Sequence, residues 1–292
     1  MKKILLIYNP VSGSAAFKKN LDAIIENFQR RKILLTLYRT RAGNFSEEFI
    51  ESVKASGAEG VIAAGGDGTL HTVINYLKKA EINLPLGIIG SGTSNDFATH
   101  LNIDAEKVFN AVAENKIRPV DLGIVNGKNY FINVASAGVL TGIAHEVGAR
   151  QKNSLGKIAY YIHGLGEIPK FKAVPLKISA DGKNFELDAF LFLVLNSPAV
   201  AGMKKISAFT KIDDGKLDFF AIKKCTPRNL INIAQKIFSA KCIDDDANIL
   251  HLQAKTFEII SAEKLTSDLD GEIGDKLPLK IETVPRAINF FA

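Results

Sequence analysis

Residues 61–77 read VIAAGGDGTLHTVINYL: a short apolar run, two glycines, an aspartate, a third glycine, a threonine, then apolar residues at helical spacing (Leu70, Val73, Ile74, Leu77). A strand that runs through a glycine turn directly into a helix is half of a βαβ crossover. Such units assemble into parallel sheets covered by helices. Glycines at this junction also let backbone amides close around an anion at the helix N-terminus. Asp67 stands in their midst, where a bare carboxylate would repel a phosphate.

The same rhythm runs through the first 120 residues. Ile4 to Tyr8 reads as a buried strand. Phe17, Leu21, Ile24, Ile25 and Phe28 recur at helical spacing, and Ile33 to Tyr38 forms a second strand. Ser46 caps another helix, with Glu47 and Glu48 in its first turn and Phe49, Ile50 and Val53 on its buried side. Leu86 to Ile89 is a further strand, and it too ends in a glycine-rich turn. Ligands of parallel sheets bind beyond the carboxyl ends of the strands, where both turns lie.

After Asp121 the pattern changes. Val125-Asn126-Gly127-Lys128 and Asp181-Gly182 have the chemistry of tight hairpin turns. Ala189 to Leu195, Leu217 to Ile222, Phe257 to Ile260 and Leu277 to Thr283 are strand candidates. Two helices interrupt them, one over about 155–167 and one capped by Thr226 with Pro227 in its first position. The second part reads as mainly antiparallel β.

With 47% apolar and 23% charged residues the chain is globular rather than disordered. The net charge of +6 suits anionic substrates or headgroups, but no Lys/Arg block is dense enough for nucleic acid. Cys225 and Cys242 are the two cysteines, without metal spacing, which argues against a disulfide framework or zinc and fits a cytoplasmic location. The apolar run of MKKILLIYNP is too short for a signal sequence, and no stretch approaches the ~20 apolar residues of a membrane span. Any contact with a membrane is therefore expected to be peripheral.

Four clusters carry the chemistry: Asn9-Pro10-Val11-Ser12-Gly13, Gly65 to Thr69, GSGTSNDFATHL from Gly90, and the split pair KIDDGKLDFF (211–220) and SDLDGEIGDKL (267–277). The first glycine turn is not a P-loop, because no Gly-Lys-Ser/Thr follows it. Asp-Gly is a common turn dipeptide, so 214–215 and 270–271 each read separately as hairpin corners.

In combination and order, these elements resemble the diacylglycerol kinase catalytic family, particularly the soluble bacterial lipid kinases. The matching residues are Asn9-Pro10 with Ser12-Gly13, Gly65 to Thr69, Gly92-Thr93-Ser94-Asn95-Asp96-Phe97-Ala98, Asp214-Gly215-x-Leu217-Asp218 and Asp270-Gly271-Glu272. The resemblance implies an N-terminal α/β nucleotide-binding domain over 1–123, to which about 284–292 returns, and a mainly antiparallel β-sandwich over 124–283. It implies ATP and Mg²⁺ as cofactors and a lipid acceptor at a membrane surface.

The implied nucleotide site comprises Asn9, Pro10, Ser12, Gly13, Gly65, Gly66, Asp67, Gly68, Thr69, Gly92, Thr93, Asn95 and Asp96, and Thr40, after the second strand, joins these candidates. The Asp270–Glu272 turn is implied to supply the general base, from one carboxylate or the other. Asp214, with the backbone carbonyls of Lys211 and Lys216, resembles a structural Mg²⁺ site. Asp67 is expected to act through a cation or water network shared with Asp96. His71 and Thr72 depart from the Asn and Glu common in the family, and Ser207 stands where a proline is common. Two other readings compete: an NAD kinase, which shares the Gly-Gly-Asp-Gly element, and a nucleotide-binding regulator without turnover. A homodimer is compatible with open strand edges, which the sequence leaves undetermined.

Overall fold

The computed structural model describes residues 1–10, 16–40, 47–90, 95–138, 172–199, 206–239 and 241–292. Two compact units emerge: Met1–Val120 with Arg286–Ala292, and Asp121–Pro285. The helix expected over 155–167 lies outside the described residues.

The first unit is built on strands β1 (Lys2–Tyr8), β2 (Ile33–Arg39), β3 (Gly60–Gly65) and β4 (Leu86–Gly90). All pair in parallel, in the order β2-β1-β3-β4. Helices α1 (Ala16–Arg30), α2 (Glu47–Ser56), α3 (Asp67–Lys79), α4 (Asp96–His100) and α5 (Ala105–Glu114) connect or follow them. The near-continuous apolar runs Ile4–Ile7 and Val61–Ala64 are fully buried, as strands covered on both faces require. Beneath the helices, Ile4, Leu6, Phe28, Ile62, Val108 and Val112 share one core. The chain's last residues belong to this unit: Phe290 pairs in parallel with Leu86, and Phe291 is wholly buried. A Cβ at Gly60 would sit 2.7 Å from the Phe291 ring, so this glycine makes room for the terminal aromatic. Burying such a side chain contributes roughly 1.5–3 kcal/mol.

The second unit is mainly antiparallel. Strands β5 (Ile117–Val125) and β15 (Leu279–Phe291) belong to it in part, and its other strands are β6 (Asn129–Phe131), β7 (Val134–Gly138), β8 (Val174–Ala180), β9 (Lys183–Leu195), β10 (Leu217–Lys223), β11 (Ile249–Ala254), β12 (Thr256–Ile260), β13 (Thr266–Leu269) and β14 (Glu272–Lys276). One run of neighbours is β14-β13-β7-β9-β8-β12-β15; β10 lies between β9 and β11, and β5 pairs with β15 and β6. Strand β9 divides two cores. Phe192 and Val194 point to a cluster with Ala135, Phe219, Phe257 and Ile281, whereas Leu191, Leu193 and Leu195 point to another beneath α6 (Pro227–Phe238). Alternate residues of one strand serve opposite faces. Thr226 caps α6 by accepting from Asn229 N at 3.3 Å, and Pro227 occupies the first turn.

Turn chemistry fixes the corners. Asn126-Gly127, Asp181-Gly182 and Asp270-Gly271 all have positive φ at both residues, as tight hairpins with right-handed strand twist demand. The Asp214-Gly215 turn differs: of its two residues Gly215 alone has positive φ, and the turn leads into β10 without joining paired strands. It is not a hairpin corner.

Candidate active site

Of the expected nucleotide residues, Asn9, Thr40 and Gly65 lie at the carboxyl ends of parallel strands. Asn9 N–H donates to Ala64 O (3.1 Å) and Thr40 N–H to Tyr8 O (3.0 Å), so the residues after β1 and β2 are pinned to their neighbours. Gly65 and Gly90 are paired across β3 and β4. A Cβ at Gly65 would come within 2.6 Å of Thr69 Cβ and closer still to Thr69 Oγ1, so the first turn of α3 packs directly onto that glycine. Gly66 precedes the helix in ordinary extended backbone (φ −91°), so no conformational strain demands glycine there. Asp67, Gly68 and Thr69 then form the first turn of a 13-residue helix, whose N-terminal amides and dipole favour an anion. Pro10 is half-buried beside Asn9. Ser12, Gly13, Gly92 and Thr93 lie outside the described residues.

The puzzle of Asp67 has a structural answer. Its Oδ2 accepts the Asp96 N–H at 3.1 Å, and its Oδ1 accepts the Phe97 N–H at 3.4 Å. Asn95, the residue preceding α4, is left-handed (φ 49°) and makes no side-chain cap bond. Asp67 therefore caps α4 from the first turn of α3, tying together the two helices that follow the neighbouring strands β3 and β4. The sequence suggests a cation or water network shared with Asp96; the contact found is instead a direct hydrogen bond to the Asp96 backbone amide. His71 and Thr72 sit on α3: Thr72 Oγ1 donates to Gly68 O (2.8 Å), and His71 lies 3.3 Å from Asn75 Nδ2, a helix-face arrangement.

In the second unit the 270–272 turn is anchored more firmly than its sequence shows. Asp270 Oδ2 accepts from Ile132 N (2.8 Å), while Oδ1 accepts from Asn133 N (2.8 Å) and Val134 N (2.9 Å). Asp270 N–H returns a bond to Val134 O at 2.9 Å. Three amides on one carboxylate fix the orientation of the Asp270 side chain. Glu272, the first residue of β14, is exposed to solvent. The neighbouring Asp268 is buried and accepts the Gly271 N–H at 2.8 Å.

The Asp214 turn gathers negative charge. Asp214 Oδ1 accepts from Lys216 N at 3.0 Å, and the buried Asp121 carboxylate accepts from Gly215 N at 2.6 Å. Burial pushes the Asp214 carboxyl above its ordinary range; the Asp218 and Asp121 carboxylates add to that rise and the Lys216 amide opposes it. Such a site gains from a cation. Its donor set would be one carboxylate plus main-chain carbonyls, since among the described residues no group of three or more His, Cys, Asp or Glu side chains is arranged to hold a metal. Lys211 and Lys216 side chains are exposed, which leaves their carbonyls as the candidate donors.

Sequence reasoning gave no role to Asp121 or His251, and named Asp218 and Ser207 without their partners. Asp121 is a single acid in an apolar strand, and burial of such a carboxylate is the one signal that marks it. Asp218 Oδ1 lies 2.7 Å from His251 Nε2, and the imidazole stacks on Phe220 at 4.3 Å between centroids. Ser207 Oγ donates to Asp244 Oδ1 (2.6 Å) and accepts amides of Phe209 and Thr210, holding by hydrogen bonds a turn where a proline is common.

A family signature described as the diacylglycerol kinase catalytic domain matches residues 3–125, and one described as a YegS C-terminal NAD kinase beta sandwich-like domain matches residues 133–292. A protein of Bacillus subtilis (strain 168) named diacylglycerol kinase is 33% identical over 99% of this chain and 96% of its own. The chain belongs to the diacylglycerol kinase family. A second family member so named, from Staphylococcus haemolyticus, is 34% identical over 97% of this chain and 86% of its own length. A crystal structure titled as a diacylglycerol kinase of Bacillus anthracis str. Sterne superposes with a TM-score of 0.77 at 27% identity, covering 99% of this chain and 96% of that one. The family fold is the expected one, an α/β domain followed by a β-sandwich, and the NAD kinase alternative is not favoured.

Proposed function

We propose that the protein is an ATP-dependent lipid kinase that transfers a phosphoryl group to a hydroxyl of diacylglycerol or a closely related lipid. The observation that carries this reading is the full-length likeness to proteins named diacylglycerol kinase. Asn9, Pro10, Ser12, Gly13, Thr40, Gly65, Gly66, Asp67, Gly68, Thr69, Gly92, Thr93, Asn95 and Asp96 are the proposed nucleotide-binding residues, with phosphates at the N-terminus of α3. Asp67 and Asp96 hold the two turns in register.

Phosphoryl transfer through a loose transition state asks chiefly for positioning and charge neutralisation. The acceptor hydroxyl attacks the γ-phosphorus, its proton passes to a carboxylate of the Asp270–Glu272 turn, and ADP leaves. Asp270 is oriented by three amides, and Glu272 offers an open carboxylate on the same turn. Mg²⁺ supplies charge neutralisation when bound. Asp214, with the Lys211 and Lys216 carbonyls, would hold a separate structural ion, consistent with the charge gathered there.

The protein is proposed to be cytoplasmic and to reach its lipid by docking on a membrane surface; among the described residues no helix is long and apolar enough to cross one. A general base contributes typically ~10²–10⁴-fold. Asp270→Asn and Glu272→Gln should therefore lose phosphatidate formation on that scale while ATP affinity changes little. Near-normal turnover in both would remove the turn from the chemistry.

A further inference from the structure

Asn196, at the end of β9, is completely buried. Its Nδ2 donates to Asp121 O (2.9 Å) and to Ile132 O (2.8 Å). Both partners are carbonyls, so the amide orientation is fixed, and Oδ1 is a buried acceptor with no hydrogen-bond partner among the described residues. Its backbone N–H donates to Asn133 O at 2.9 Å. Asn133 likewise keeps a buried Oδ1 without a partner among the described residues.

A buried acceptor without a donor destabilises a fold. A small apolar residue at 196 would avoid that cost. What asparagine alone supplies is a pair of coplanar N–H groups that bridge two separate main-chain segments. The first segment is 132–134, and its three amides are the donors that hold Asp270. The second is Asp121, whose carboxylate holds Gly215 of the Asp214 turn and whose N–H donates to Ile212 O at 2.7 Å. One carboxamide thus ties the backbone under the candidate base turn to the backbone under the candidate metal turn.

We propose that Asn196 is a positioning residue for phosphoryl transfer: it sets segment 132–134, and through those amides the Asp270–Glu272 turn. This rests on the kinase reading above, and it assigns Asn196 no contact with substrate. Losing the bridge lets 132–134 shift by a fraction of an ångström, and a misplaced catalytic turn costs rate rather than nucleotide affinity.

The test is a double-mutant cycle. Asn196→Ser removes the bridge, and Asn196→Asp keeps the volume but points oxygen at two carbonyls. Each is measured alone and combined with Asp270→Asn, using ATP and diacylglycerol in mixed micelles well below the melting temperature. Each single Asn196 variant should lower kcat about 10–100-fold and leave KM for ATP within about twofold. On the Asp270→Asn background the same change should lower kcat less than about twofold, because the route it acts through is already cut. An unchanged kcat in the single variants, or a full multiplicative loss in the double ones, overturns the proposal. If Asp270→Asn itself turns over normally, it is the role of the turn that fails, a separate outcome. Should no Asn196 variant fold, hydrogen exchange of the wild type decides: the 132–134 amides should be among the slowest of the second unit, and fast exchange there refutes the bridge.

Discussion

Asp67→Ala tests the reading of the first glycine turn as one half of a tied pair. In the wild type the carboxylate caps α4 with one good bond (3.1 Å) and one long one (3.4 Å). Hydrogen bonds to a charged acceptor contribute ~1.5–3 kcal/mol, and loss of a helix cap ~0.5–2 kcal/mol. Because the second bond is long and the site half-buried, the expected loss is about 2 kcal/mol rather than the sum of two full bonds. That corresponds to a fall in melting temperature of roughly 4–8 °C for a unit of this size. Asp67→Asn keeps a carbonyl acceptor but no charge and should lose about half as much. Urea unfolding followed by circular dichroism gives the stability, and calorimetry gives ATP affinity, which should fall in the same order as the 95–97 turn loosens. If Asp67→Ala is as stable as the wild type, Asp67 does not cap α4, and its place among the glycines needs another explanation.

Gly66→Val should fold normally, since φ at 66 is ordinary, yet lose ATP binding because the side chain occupies the approach to the α3 N-terminus; calorimetry with unchanged affinity would take this loop out of the site. For Asp214, a carboxyl raised in the folded state contributes stability below its unfolded pKa of about 3.9 and loses it as pH rises through the folded value. At pH 7 without divalent cations, Asp214→Asn should therefore melt higher than the wild type, the gap closing toward pH 3–4. Mg²⁺ should raise the wild type's melting temperature more than the variant's, and equal shifts would argue against an ion at this turn.

Much of this architecture was legible because its signals are local. The runs Ile4–Tyr8 and Val61–Ala64 mark buried parallel strands by apolar continuity, and Thr226-Pro227 marks the start of α6 by cap chemistry. Asn126-Gly127 and Asp181-Gly182 mark hairpins because those residues tolerate positive φ. Strands β13 and β14 escaped notice: TSDL and EIGDK are short, polar and flank a turn, so period-two apolarity is absent. The Asp214-Gly215 dipeptide reads as a hairpin in isolation, yet the bond from Gly215 N–H to Asp121, 94 residues away, gives it another geometry. The candidate site divides the same way. Glycine turns and the Asp-Gly-Glu triplet stand out in the sequence, while the residues that hold them do not. Asp121, Asn133 and Asn196 act through backbone groups distant in the chain, and no spacing rule links them.

The kinase assignment is tested most directly by offering the purified protein radiolabelled ATP with diacylglycerol in mixed micelles and, in parallel, NAD in buffer. Label appearing in phosphatidate, with the NAD arm blank, is the result expected. Label transferred to NAD with the diacylglycerol arm blank would contradict the lipid reading and leave the nucleotide half of the site standing.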